Sequence, residues 1–239
     1  MPRALLIALR DADDPMIAHE RACFARRAEL DVSALDVHAM PDGVPSRIQL
    51  AGYDAIFFGG SGAYSVFDDV RWIHDSRALL LEACGLDVPT WASCFGFQSL
   101  ALALGGRVVH DASRMETGAT CMQLTPAGKE DPLFSKLPDH FWVQQGHHDH
   151  VTDLPESVGL LATGEVVHAQ AFRVPGTNVW ASQFHPELTA DDVAMRLRFY
   201  GQNYDVSDDA IAKLAGPEDS AASETAVGAM LARMVRRAF

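Results

Sequence analysis

The chain has 239 residues, enough for one large domain with a sizeable core, and its 48% apolar share is ordinary for a globular protein. A formal net charge of −13 argues against nucleic acid as the main partner. No apolar run reaches the roughly 18 residues of a bilayer span, and the four cysteines (Cys23, Cys84, Cys94, Cys121) show neither paired metal spacing nor a disulfide framework.

The cysteine usage points to a reducing cytoplasm. Ala4–Leu9 is too short for a secretory signal and reads as part of a first buried strand, Arg3–Leu9. Asp14 then reads as an N-cap with Pro15 at the first helical position, opening a helix that runs towards Leu30. Val32–Val37 is the next predicted strand. Ala55–Phe58 is the third, and it ends in Gly59-Gly60-Ser61-Gly62. Val70, Ile73, Leu80 and Leu81 mark the apolar face of a helix. Val88–Ala92 is a strand with Cys94 just past its end, Phe95–Leu104 is the helix after it, and Arg107-Val108-Val109 starts another strand. This alternation implies a parallel sheet covered by helices.

The second half is richer in strands: Thr120–Thr125, Phe141–Gln145, His168–Val174 and Val179–Phe184, separated by Pro/Gly turns. Thr189-Ala190-Asp191-Asp192 caps a helix with Val193, Leu197, Tyr200 and Tyr204 on one face. Gly216–Ala222 reads as a linker. Val227, Met230, Leu231, Met234 and Val235 form an amphipathic last helix, with Arg233, Arg236 and Arg237 near its end. The expected organisation is one domain over residues 1–205 and a helical extension over 206–239 that packs on the domain or on a neighbour.

Cys94 carries the chemistry. A thiol on a sharp turn between strand and helix sits at the positive end of that helix, whose field favours the nucleophilic thiolate. Gly96 permits the tight turn, as in other nucleophile elbows, and the N–H of Phe95 is placed to donate to an oxyanion. The N–H of Gly60, on a loop free of side chains, is the second expected oxyanion donor. His185 and Glu187 are two apart at a strand end, where i and i+2 share a side, so Glu187 can orient the His185 ring. His147-His148-Asp149-His150 suggests a metal cluster at first sight. Alternating side-chain directions argue against it, and the stretch reads as a loop lining the substrate pocket.

These residues carry a resemblance. Phe57-Phe58-Gly59-Gly60-Ser61-Gly62, Ser93-Cys94-Phe95-Gly96-Phe97-Gln98, Gln144-Gln145-Gly146-His147-His148-Asp149-His150-Val151, Gln170-Ala171-Phe172 and Gln183-Phe184-His185-Pro186-Glu187 stand in the order of the class I, triad-type glutamine amidotransferases. The chain most resembles the free-standing branch similar to the amidotransferase domain of GMP synthase. The resemblance implies a flavodoxin-like α/β fold: an open, mostly parallel sheet, helices on both faces and a small antiparallel addition. It also implies roles. Cys94 attacks the carboxamide of glutamine to give a γ-glutamyl thioester, His185 moves protons, Glu187 orients it, and Gly60 and Phe95 form the oxyanion hole. Gln98, with main chain at Gly62 and around His148 and Asp149, holds the α-amino and α-carboxylate groups. No cofactor and no metal are implied. A separate synthetase subunit would receive the ammonia, and self-association is left open. Ala92, Phe97 and Gly146 depart from the family's usual Gly, His and Ser or Asn. Phe97 and Tyr64 are accordingly expected to shape the leaving-group side of the pocket. Two other functions remain open at this point: a hydrolase or peptidase of γ-glutamyl amides with the same nucleophile, and a non-catalytic DJ-1-type module, which lacks His185-x-Glu187 in this form.

Overall fold

Alternation within single strands sets the layers. In the computed structural model, which describes residues 2–200, 216–217 and 220–237, β1 (Ala4–Ala8) is buried along its whole length. Leu5 and Ile7 point into one core and Ala4 and Leu6 into the other, as successive strand side chains must. In β3 (Ala55–Phe58), Ile56 and Phe58 join the first core, Ala55 and Phe57 the second. Apolar runs of this kind belong to parallel strands covered on both faces.

The sheet has nine strands. Its parallel part runs β2 (Leu35–Ala39), β1, β3, β4 (Thr90–Ser93) and β11 (Val179–Ser182). Beyond β11 it continues antiparallel through β10 (Ala169–Arg173), β9 (Gly159–Gly164), β6 (Glu116–Leu124) and β7 (His140–His147). A separate antiparallel pair joins β5 (Arg107–His110) to β8 (Asp149–Asp153). One face is covered by α1 (Met16–Ala28) and α7 (Ser220–Val235), the other by α2 (Arg47–Ala51), α3 (Arg71–Cys84) and α4 (Phe95–Ala103). Two more, α5 (Pro126–Glu130) and α6 (Ala190–Phe199), complete the described α-helices. This is the α/β fold that the alternating pattern implied.

Several boundaries differ from the sequence reading. Val32–Ala34 forms a single helical turn, because the Asp31 side chain accepts the Ser33 N–H at 2.8 Å, and the strand begins at Leu35. Arg107–His110 is a strand but pairs with β8 outside the large sheet. The short α2, β8 and β9 were not anticipated. Helix α1 starts one residue later than expected, at Met16 with Pro15 as its N-cap, although the Asp14 carboxylate does accept the Met16 N–H at 2.8 Å. Thr189 and Asp192 form a reciprocal capping box at the start of α6. The last helix begins at Ser220, inside the stretch read as a linker. Its Val227, Met230, Leu231, Met234 and Val235 enter the same core as Phe24, Phe134 and Phe141. Tyr204 and the expected division at residues 205 and 206 lie outside the described residues. Among the described residues, no helix is long and apolar enough to cross a membrane.

Candidate active site

Cys94 sits between the end of β4 and the start of α4 with φ +50° and ψ −100°. Such a conformation costs a non-glycine residue on the order of 1–3 kcal/mol and persists only where its surroundings enforce it. Here the Cys94 N–H donates to Ser182 O at 2.8 Å, and the Cys94 carbonyl accepts the Gln98 N–H at 3.0 Å. A Cβ at Gly96 would lie 3.1 Å from Phe58 Cβ and 3.2 Å from Ala92 Cβ, so the elbow is packed to its limit on both sides. Ala92 occupies the departure from the family's glycine and is accommodated there. Phe95 opens α4, so its N–H is among those with no acceptor inside the helix.

The second part of the site follows β11, which ends at Ser182, two residues earlier than expected. His185 and Glu187 therefore lie in a turn rather than on strand positions. His185 Nδ1 is 2.7 Å from Glu187 Oε1, and the Ser93 hydroxyl donates to Glu187 Oε2 at 3.0 Å. Ser93 was not singled out from the sequence; its place next to the elbow was the available signal. Both members of the pair are buried. Burial opposes a charge on His185, but the Glu187 carboxylate and the Cys94 sulfur outweigh it and raise its pKa to about 9. Burial likewise works against the Glu187 carboxylate, yet the His185 ring and the Arg196 guanidinium hold its pKa below the ordinary value. Cys94 and His185 line one cleft together with Gly60 and Gly146.

The loop after β3 departs from expectation at Gly60. Its N–H, read as an oxyanion donor, donates instead to Glu20 Oε1 at 3.1 Å. Glu20 projects from α1, is fully buried, and is gripped by Arg10 at 3.2 and 3.0 Å. Its carboxylate stands 2.7 Å from where a Gly59 side chain would begin. Gly62 is equally constrained: a Cβ there would be 2.4 Å from the Tyr200 ring. The sequence reading missed Arg10 and Glu20 because charged residues in such patterns usually face solvent.

Gly62, Phe95, Gln98, His148 and Asp149 line a second, more polar cleft on the other side of Cys94. Gln98 Nε2 donates to Asp149 O at 2.7 Å and to Gln183 Oε1 at 3.2 Å, and Gln183 Nε2 in turn approaches Cys94 Sγ at 3.7 Å. The Asp149 carboxylate is held by Ser65 Oγ and His110 Nδ1, both at 2.6 Å. Burial, then the charge of His110, lowers the pKa of His148. Tyr64 lines this cleft and its hydroxyl donates to Asp11 at 2.8 Å. Phe97 does not serve the pocket. It is fully buried, packs on Phe172 with ring centroids 5.1 Å apart, and lines neither cleft. The helix turn separating it from Phe95 rotates it into the core. At Gly146 a Cβ would meet nothing within 4 Å, so glycine is not sterically required there.

The side chains of the histidine-rich stretch diverge. His147 Nε2 lies 3.2 Å from the buried Glu116, which also accepts from Gln170 at 2.7 Å, while Asp149 faces His110. Among the described residues, the grouping with metal-ligand spacing is His19, Cys23 and Asp192. Its donors do not fit an ion. Asp192 is committed to Thr189, His19 and Arg26, and burial pushes the Cys23 thiol up to about 12, away from the thiolate that a metal needs.

Comparison with known proteins bears on this arrangement. A GMP synthase of Porphyromonas gingivalis, described as glutamine-hydrolyzing, is 36% identical over 150 residues, which is 62% of this chain and 28% of that protein. The chain thus spans less than a third of that relative's length. A glutamine-hydrolyzing GMP synthase subunit of Saccharolobus solfataricus is 29% identical over 153 residues, 64% of this chain and 77% of that one. A glutamine amidotransferase structure from Thermotoga maritima superposes with a TM-score of 0.77 at 20% identity, covering 98% of this chain and 99% of its own. One from Methylobacillus flagellatus gives 0.74 at 19% identity, covering 99% and 95%. At such identities the structural likeness speaks for the fold alone. The family described as glutamine amidotransferase class-I matches residues 22–199, from within α1 to the end of α6, which takes in Cys94, His185 and Glu187 and leaves out Arg10, Asp11, His19, Glu20 and Tyr200. The chain belongs to the class-I glutamine amidotransferase family.

Proposed function

We propose that this protein hydrolyses the side-chain amide of glutamine through a γ-glutamyl thioester on Cys94. The observation that carries the reading is the buried His185–Glu187 pair facing the cleft into which the strained Cys94 elbow opens. Cys94 sulfur bonds to the carboxamide carbon. The C–N bond breaks, and the departing nitrogen takes its proton from His185 and leaves as ammonia. Water, deprotonated by His185, then attacks the thioester, releasing glutamate and restoring the thiol. Glu187, fixed by Ser93, keeps the imidazole oriented and stabilises its charged form. The α-amino and α-carboxylate groups fit the polar cleft at Gly62, Gln98, His148 and Asp149. This chemistry calls on no metal or cofactor.

The likeness to the Saccharolobus protein, itself one subunit of a GMP synthase, supports a separate synthetase partner that consumes the ammonia, and the free cysteines favour a reducing cytoplasm. Glutamate and ammonia release by purified protein tests the reading. Wild type should turn over glutamine, and Cys94→Ala should release neither product while keeping its fold. Turnover of bulkier γ-glutamyl amides with none of glutamine would replace this reading by that of a γ-glutamyl hydrolase.

A further inference from the structure

The glycine turn beside Cys94 is held from behind by a carboxylate. Glu20 Oε1 accepts the Gly60 N–H at 3.1 Å, and Arg10 Nη2 donates to the same oxygen at 3.0 Å. While this bond stands, Gly60 offers nothing to an oxyanion on the substrate. A second observation lies on the far side of Glu20. Arg196, on α6, places Nε 3.4 Å from His19 Nδ1, but its Nη2 is buried and finds no acceptor among the described residues. That nitrogen lies 3.7 Å from Glu20 Oε1, close enough for charge attraction and too far for a hydrogen bond. A buried guanidinium donor left unsatisfied is costly. The Glu20 oxygen at that distance is the one that Gly60 occupies.

We propose that Glu20 and Arg196 are positioning residues that let the Gly59–Gly60 peptide exchange between two states. In the resting state Gly60 N–H is bonded to Glu20. In the reactive state it turns to the substrate oxyanion, and Arg196 Nη2 closes on the Glu20 oxygen that it vacates. The buried carboxylate is satisfied throughout, so the turn is released without stranding a charge. Residues 59 and 60 are both glycine, which permits the backbone rotation. A side chain at residue 59 would start 2.7 Å from the Glu20 carboxylate, and one at residue 60 would start 3.0 Å from His185 Cε1.

The inference rests on the proposal that glutamine acylates Cys94, and the test separates the two. Glutamate release from glutamine needs the oxyanion donors; alkylation of Cys94 by iodoacetamide needs only the thiolate. In Arg196→Met, turnover should fall roughly 10- to 100-fold, part of what one oxyanion donor contributes, while alkylation should fall much less, by only the share that Arg196 adds to the Glu187 charge. Arg196→Lys should recover part of the loss. Equal falls in both rates, or no fall in turnover, would overturn the exchange while leaving the function intact. Wild type that alkylates but never releases glutamate would overturn the function and this inference with it. A second measurement needs no variant. The Gly60 amide proton resonance should move when glutamate γ-semialdehyde forms its hemithioacetal with Cys94. A resonance that stays in place with the adduct formed would overturn the exchange.

Discussion

At the scale of residues, the site works by opposing burial with charge. His185 has almost no water around it, which disfavours the imidazolium, yet Glu187 and Cys94 hold its pKa at about 9. Glu187→Gln keeps the shape of the acceptor and removes its charge. Burial then gains on the remaining influence of Cys94, and the His185 midpoint should fall towards the ordinary value of about 6.5. Turnover should drop on the order of 10³–10⁴-fold, since the ring loses its orientation and its counter-charge together. Titration of the His185 ring carbon resonance checks the first expectation; a midpoint still near that of wild type would show that Glu187 is not its main partner. Cys94, His185 and Glu187 were legible as candidates through Gly96 at the elbow and the two-residue spacing of the histidine and the glutamate. The bond that ties Gly60 to Glu20 was not foreseen, and Arg10, Glu20 and Ser93 were missed, for one physical reason. Their roles depend on pairings between distant segments, such as Glu20 with Gly60 and Ser93 with Glu187, and no local pattern announces such pairings.

At the scale of elements, two helices bear most on what the sequence leaves open. Along α4 the side chains diverge: Phe95 lines the cleft and Phe97 meets Phe172 in the core. Replacing Phe97 with the family's usual histidine should therefore cost stability, about 3 kcal/mol from lost packing and a buried ring nitrogen. The ratio of acylation rates between glutamine and a bulkier γ-glutamyl amide should stay unchanged. A changed ratio without a stability loss would return Phe97 to the pocket. The last helix, α7, is the other case. Its apolar stripe was legible, but the surface that it covers was not, because that surface comprises α1 and the distant β7. Met230 is fully buried there, so Met230→Ala should lower unfolding free energy by about 2–5 kcal/mol in denaturant titration. A loss below about 0.5 kcal/mol would show α7 to be an appendage rather than part of the core. The strands β8 and β9 escaped the sequence reading because each is only partly buried and carries polar residues among its apolar ones.

At the scale of the molecule, the parallel strands bring β3, β4 and β11 side by side, and all three end at the same edge. Ligands of open α/β sheets gather at that edge, and Gly60, Cys94 and His185 all follow these strand ends. The antiparallel strands then extend the sheet and bring β7, with Gly146, to the same cleft. Building the site from buried charges makes the stability of the whole depend on pH in a definite sense. Glu187 and Asp192 both lose by burial, but their partners more than compensate: His185 and Arg196 for the first, His19, Thr189 and Arg26 for the second. Both carboxylates are held below their ordinary range. Stability from these groups is present above their unfolded pKa, near 4, and is lost as pH falls through the folded values. His185 acts in the opposite direction. Its contribution is complete below the unfolded value of about 6.5 and fades as pH rises towards about 9, where the folded imidazolium gives up its proton. The melting temperature should therefore peak between about pH 4.5 and 6.5 and decline on both sides. Differential scanning calorimetry across pH 3–10 measures the profile. In Glu187→Gln the decline between about pH 6.5 and 9 should flatten, because His185 no longer takes up a proton on folding, while the acid decline from Asp192 should remain. An alkaline decline of full size in that variant would place its origin in some group other than the His185–Glu187 pair.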